Sequence, residues 1–102
     1  MNNEAIKKIA ENNGFNEASR QLFEEMAELT VALNKYYRVS ILTPERVNFA
    51  ERIELGNIKE EIADVTIMIE QIKYLLSLNS DDIDLFIEQK LNRQLERIDK
   101  NE

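Results

Sequence analysis

Apolar residues recur every three or four positions along most of this chain, which is the spacing of one face of an α-helix. The clearest series lies within residues 17–38 and comprises Leu22, Met26, Leu29, Leu33 and Tyr36. A second series, over 57–78, is apolar around more than half of the helix circumference and predicts the most buried element. Shorter segments at 3–12 and 81–99 show the same spacing.

Residues between these segments predict where helices end and begin. Gly14 predicts a stop after the first segment, and Asn16 predicts the N-cap of the second. Pro44 predicts the first turn of a brief helix over 44–53 that ends near Gly56. We therefore expect one all-α domain over residues 1–102, a four-helix bundle with a short extra helix in the 40–56 connection.

The composition limits the chemistry that such a bundle can perform. The chain has only two Gly and one Pro in 102 residues, which agrees with long helices. It has no Cys and no His, so thiolate and imidazole metal sites and His-dependent catalysis are excluded. Any metal must therefore be held by oxygen ligands.

The charge and hydropathy of the chain predict the cellular compartment and the kinds of partner of the protein. A formal net charge of −7 argues against binding to nucleic acid or to an anionic membrane surface. No segment approaches the roughly 20 apolar residues that span a bilayer, and the first residues lack the apolar core of a signal peptide. We expect a cytoplasmic protein without nucleic-acid or membrane partners.

Two acidic motifs adjoin the apolar faces of the two longest segments: Glu25 with Glu28, and Glu61 with Asp64. At about 100° per residue, Glu61 falls inside the apolar arc of its helix and Glu25 lies at the edge of its own. Burying an ionised carboxylate costs several kcal/mol unless something compensates. Two such turns facing each other would form a four-carboxylate cage suited to a hard cation such as Mg²⁺.

A solvated position is the ordinary environment for any single pair of glutamates on a helix. A helical interaction module, whose acidic rims only keep it soluble, is therefore the alternative from a different functional class. Binding of a divalent cation separates the two interpretations.

The two motifs also resemble those of a known family. The run E-E-x-x-E-L at 24–29, the run E-E-I-A-D-V at 60–65 and the later run K-L-N-R at 90–93 are similar to the MazG-like all-α nucleotide pyrophosphohydrolases, over about residues 12–98. The resemblance implies hydrolysis of a nucleoside triphosphate, or a related nucleotide, to the monophosphate and pyrophosphate. House-cleaning of noncanonical nucleotides is one form of that activity.

Matching position by position, the resemblance implies that Glu25 and Glu28 form one metal-ligand pair and that Glu61 and Asp64 form the other. The cofactor would be Mg²⁺, with Mn²⁺ able to replace it. Glu24 matches the acid that activates the attacking water in some members of the family. A relative that has lost catalysis would remain a nucleotide or metal sensor.

The resemblance further implies that Lys90, Asn92 and Arg93 of the last helix contact the phosphates and sugar of the nucleotide. Without it, Lys90 and Arg93 would be an ordinary basic surface strip. Lys35 either reaches the phosphates or pairs with a neighbouring glutamate. Small relatives of this kind build the site in a homodimer or a dimer of dimers, which is the assembly we expect.

Overall fold

The computed structural model describes residues 1–42 and 47–100, and within these ranges the chain forms three α-helices and no strand. Helix α1 spans Asn3–Tyr37, α2 spans Val47–Leu75 and α3 spans Ser80–Lys100, and a π-helical segment at Arg38–Leu42 extends α1. The predicted all-α class is confirmed. The predicted four-helix bundle is not, because the described part of one chain supplies three helices.

Helix α1 is kinked at Gly14, where φ is 80° and ψ is 170°. This region of backbone space is essentially restricted to glycine. The predicted stop at Gly14 therefore coincides with a kink, but the N-cap prediction for Asn16 is wrong, because Gly14 is the only non-helical position within α1. Buried Ala10 and Ala18 on either side of the kink show why the helix resumes: both halves pack in the core.

Helix α2 continues through Gly56, so the predicted brief helix over 44–53 with a break near Gly56 is wrong. A glycine in a helix interior costs only about 0.5–1 kcal/mol relative to alanine. Half-buried Glu54 and buried Ile58 flank Gly56, and their packing favours one continuous helix. The predicted start at Pro44 lies outside the described residues.

Helices α1 and α2 form an antiparallel hairpin. The Tyr74 hydroxyl donates a hydrogen bond to Glu11 at one end, and the Tyr36 hydroxyl donates to Glu51 (3.2 Å) near the connection. Small alanine side chains in α1 allow the two axes to approach closely. The core is this single seam, and its buried residues are Ile6, Ala10, Ala18, Ala32, Ile58, Met68 and Gln71.

The turn between α2 and α3 satisfies its own backbone groups. Ser77 adopts a positive φ of 53°, and the Leu78 N–H donates to the Lys73 carbonyl (2.9 Å), as in a Schellman helix ending. The Asn79 side chain then accepts from the Asp81 N–H (2.8 Å) and caps α3. Both helix ends at this turn are therefore hydrogen-bonded.

Within the described ranges, helix α3 makes no extensive contact with α1 or α2. It has no buried residue, and Ile83 is its only half-buried one. Its apolar stripe is therefore largely in contact with solvent: Ile83, Phe86, Ile87, Leu91, Leu95 and Ile98. Within the described ranges, no helix is both long enough and apolar enough to cross a membrane.

The two glycines give a matched test of the kink. Gly14→Ala is expected to lower the free energy of unfolding by about 1–3 kcal/mol, because alanine must adopt a glycine-only conformation. Gly56→Ala is expected to raise it by about 0.5–1 kcal/mol, because it reduces the conformational entropy of the unfolded chain. A Cβ meets nothing within 4 Å at either site, so steric clash explains neither effect. Urea unfolding measures both, and a Gly14→Ala protein as stable as the original would contradict the kink.

Candidate metal centre

Two glutamates occupy seam positions that helices normally fill with apolar residues. Glu25 lies three residues after Leu22 and four before Leu29, and Glu61 lies three residues after Ile58. Both side chains are half-buried. The hairpin therefore brings an acid from each helix into its only interior line, as the apolar arcs predicted.

A third acid joins this pair. Carboxylate oxygens of Glu25, Glu28 and Glu61 all lie within 4.8 Å of one another, and we call these residues the carboxylate cluster. Glu28 is exposed and forms its outer edge. Asp64 is outside the cluster, but its negative charge is close enough to raise the pKa of both Glu25 and Glu61.

The cluster binds a proton more tightly than ordinary glutamates do. Burial raises the pKa of Glu25 to about 7, with further contributions from the nearby charges of Glu28, Asp64 and Glu61. Burial, followed by the charge of Glu28, also raises the pKa of Glu61. Positive charge at this point is therefore favourable, whether a proton or a cation supplies it.

The donor atoms fit a hard divalent cation. The Oε2 atoms of Glu25 and Glu61 are buried and have no hydrogen-bond partner among the described residues. Among the described residues, the ion pairs Arg20–Glu17 and Lys73–Glu70 do not involve the cluster. Magnesium prefers oxygen ligands such as carboxylates. Burying an ionised oxygen that has neither a hydrogen bond nor a cation beside it costs free energy, which a bound Mg²⁺ would offset. Three carboxylates, with Asp64 one turn from Glu61, can hold such an ion.

A cavity of about 330 Å³ adjoins the cluster and shares Glu28 and Glu61 with it. Its volume is within the range of small-molecule sites. Its remaining lining combines apolar walls with a few polar groups: Ala27, Val31, Ala32, Lys35, Glu54 and Asn57. The cavity therefore offers an apolar surface, the ammonium group of Lys35 and hydrogen-bonding groups beside the carboxylates.

Of the other five predicted site residues, one lines the cavity and four do not. Lys35 lines the cavity. Glu24 is exposed on α1 and outside the cluster. Lys90, Asn92 and Arg93 are exposed on α3 and do not line the cavity of their own chain.

The sequence prediction missed Glu54 and Asn57, which line the cavity, and the Asn57 amide donates to Glu54 (3.5 Å). Their spacing from Glu61, seven and four residues, is the signal that would have found them, because it places all three near one helix face. The predicted helix break near Gly56 obscured this spacing, because it assigned Glu54 and Glu61 to different helices.

Comparisons of the chain with models of protein families, with curated proteins and with solved structures find no match. The function is therefore inferred from the cluster, the cavity and the two acidic motifs.

The raised pKa values predict how the metal-free protein responds to pH. Because folded Glu25 binds its proton up to about pH 7 and an ordinary glutamate only to about 4.5, this stabilisation is complete below the lower value and is lost as pH rises through the upper one. The melting temperature in EDTA should therefore fall between pH 5 and pH 8. The fall should be smaller in Glu25→Gln, which stays neutral throughout. An equal fall in both proteins would show that other groups cause it.

Proposed function

We propose that this protein is a Mg²⁺-dependent nucleotide pyrophosphohydrolase of the MazG-like all-α type, converting a nucleoside triphosphate or a related nucleotide to the monophosphate and pyrophosphate in the cytoplasm. The observation that carries the proposal is the convergence of Glu25, Glu28 and Glu61 beside a cavity of ligand size, with a buried unpaired oxygen on Glu25 and on Glu61. These acids are three of the four that the motif resemblance implies as metal ligands; the fourth is Asp64.

In this proposal, Glu25, Glu28, Glu61 and Asp64 hold Mg²⁺. When bound, Mg²⁺ neutralises phosphate charge and lowers the pKa of a coordinated water. The protein contributes positioning: the ligands come from two helices whose seam fixes their separation before the nucleotide arrives. Little rearrangement is then required during phosphoryl transfer.

Two further residues complete the proposed reaction. Glu24 precedes Glu28 by one helical turn, so their side chains are neighbours on the surface of α1. We assign Glu24 to accept the proton of the attacking water, as the motif resemblance implies. Lys35 lies in the same cavity as Glu28 and Glu61, where its ammonium group would pair with phosphate oxygens.

The proposed assembly is a homodimer or a dimer of dimers. We retain the proposal that the phosphates and sugar of the nucleotide are contacted by Lys90, Asn92 and Arg93. Because α3 makes no extensive contact with its own hairpin, these residues would contact a nucleotide that is bound to a neighbouring copy of the chain.

Magnesium should stabilise the folded protein through Glu61. At a free Mg²⁺ concentration about 100 times the Kd, binding adds about 2.7 kcal/mol, which for a domain of this size raises the melting temperature by roughly 10 °C or more. Glu61→Gln should abolish this rise. Glu60→Gln, its exposed neighbour, is the matched control and should keep it. Differential scanning fluorimetry with Mg²⁺ and EDTA measures both, and an unchanged response in Glu61→Gln would remove Glu61 from the site.

The products of turnover decide between an enzyme and a non-catalytic sensor or interaction module. Phosphorus NMR of nucleoside triphosphates incubated with Mg²⁺ should show monophosphate and pyrophosphate without diphosphate. Glu24→Gln should lower kcat by about 100-fold or more, the effect of losing a general base, while leaving the Mg²⁺ stabilisation intact. Magnesium binding without turnover on any nucleotide would establish the sensor, and the absence of both would establish the module.

A further inference from the structure

The cavity beside the carboxylate cluster extends well beyond the metal ligands. On α2 it is lined by Glu54, Asn57 and Glu61, so it follows the helix for seven residues, or about 10 Å along the axis. This span is comparable to the distance between the α-phosphate and the pairing edge of the base in an extended nucleotide. The end of the cavity at Glu54 is therefore far enough from the cluster to receive a base.

The charges along the cavity indicate which part of a nucleotide lies at each end. Glu54 is half-buried and lines the far end, where its carboxylate would repel phosphate oxygens. Helical side chains lean towards the N-terminus of their own helix, so Lys35 leans towards Glu28, whereas Glu54 leans away from Glu61. The cation therefore serves the phosphate end. This orientation rests on the proposed function, in which the phosphates lie beside Mg²⁺ at the carboxylate cluster.

The wall of the cavity between its two ends is apolar. Ala27, Val31 and Ala32 of α1 supply it, and Ala32 is buried. Small apolar side chains leave room for a flat ring and can pack against its face, while a few polar groups at the edge select which ring is bound. Glu54 and Asn57 are the polar groups at that edge.

Glu54 and Asn57 present a defined row of hydrogen-bonding groups. The Asn57 Nδ2 donates to Glu54 Oε2 (3.5 Å), which places the amide and the carboxylate side by side. The amide has a second N–H, and the carboxylate has a second oxygen that can only accept while it is ionised. The row therefore reads donor, acceptor, acceptor, and we call it the Glu54–Asn57 pair.

We propose that the Glu54–Asn57 pair binds the Watson–Crick edge of guanine, so that guanine nucleotides are the preferred substrates of the proposed hydrolase. Guanine presents the O6 acceptor, the N1–H donor and the N2 amine donor in that order. Its O6 accepts from Asn57, and its two donors bind the two oxygens of Glu54, which is a mode of reading a base by its Watson–Crick edge.

The other common bases do not complement this row. In either orientation of the ring, adenine, cytosine and uracil each place at least one acceptor opposite an oxygen of Glu54. Such a contact leaves two acceptors facing each other, so the same carboxylate that binds guanine also rejects the alternatives. Selectivity for guanine therefore depends chiefly on Glu54.

Calorimetry with nucleoside monophosphates and Mg²⁺ tests the assignment on the original protein. Monophosphates keep the base and the α-phosphate, and no hydrolysis follows their binding. Guanosine monophosphate should bind about 10-fold or more tightly than inosine monophosphate, which lacks only the N2 amine. Equal affinities, or no binding of either nucleotide, would overturn the proposal. This comparison does not depend on the folding of any variant.

Glu54→Gln should reverse the preference. The Asn57 N–H keeps the new amide oxygen in the middle of the row, so the glutamine N–H takes the outer position and the row becomes donor, acceptor, donor. Xanthine carries an oxygen in place of the N2 amine, so Glu54→Gln should bind xanthosine monophosphate more tightly than guanosine monophosphate. Glu60→Gln is the matched control, because Glu60 is exposed and does not line the cavity, and it should keep the original order. A Glu54→Gln protein that still prefers guanine would overturn the proposal.

The two proposals fail in distinguishable ways. Glu54 is outside the carboxylate cluster, so Glu54→Gln should keep the rise in melting temperature with Mg²⁺, which also shows that the variant is folded. Turnover of nucleoside triphosphates without a preference for guanine would overturn the base assignment and leave the proposed activity in place. Guanine-selective binding without turnover of any triphosphate would support the base assignment and remove the activity.

Discussion

The contact between Glu25 and Glu61 across the α1–α2 seam is the constraint on which the structure depends. A two-helix hairpin has a single interior line, and here its middle is occupied by two acids rather than by apolar side chains. Their burial and the nearby charges of Glu28 and Asp64 raise the pKa of both. The same forces would favour a divalent cation, so protons and the proposed metal would compete for one set of oxygens. Such competition would make metal binding stronger at higher pH.

The rest of the seam explains why the hairpin tolerates this arrangement. Its buried side chains are few, and those of Ala10, Ala18 and Ala32 on α1 are small. Small side chains bring the helix axes close together, which shortens the distance between opposed carboxylates. They also bury little apolar area, so the hairpin alone gains modest stability from its core. The proposed homo-oligomer and a bound cation would each add stability that this small core lacks.

The residue pattern predicted the acids of the seam better than the architecture around them. Glu61 was placed inside an apolar arc by helical spacing alone, and the structure brings it to Glu25 and Glu28. Spacing could not show that α2 passes through Gly56, because the local cost of glycine is small compared with the packing gained on both sides. It also could not show where α3 lies. An amphipathic stripe predicts that a helix needs a partner, but not whether that partner belongs to the same chain.

The sidedness of the hairpin connects these observations. On each helix, the outer acid lies about 60° from the seam in one direction, and an exposed apolar residue, Met26 on α1 and Ile62 on α2, lies about 100° away in the other. In the proposed homo-oligomer, metal binding and chain association would therefore be able to use different sides of the same two helices. The two events would be coupled through the seam, because an assembly that fixes the two helix axes would also fix the separation of Glu25 from Glu61. Association would then organise the cluster for Mg²⁺, and Mg²⁺ would in turn favour the associated state, since such coupling is reciprocal.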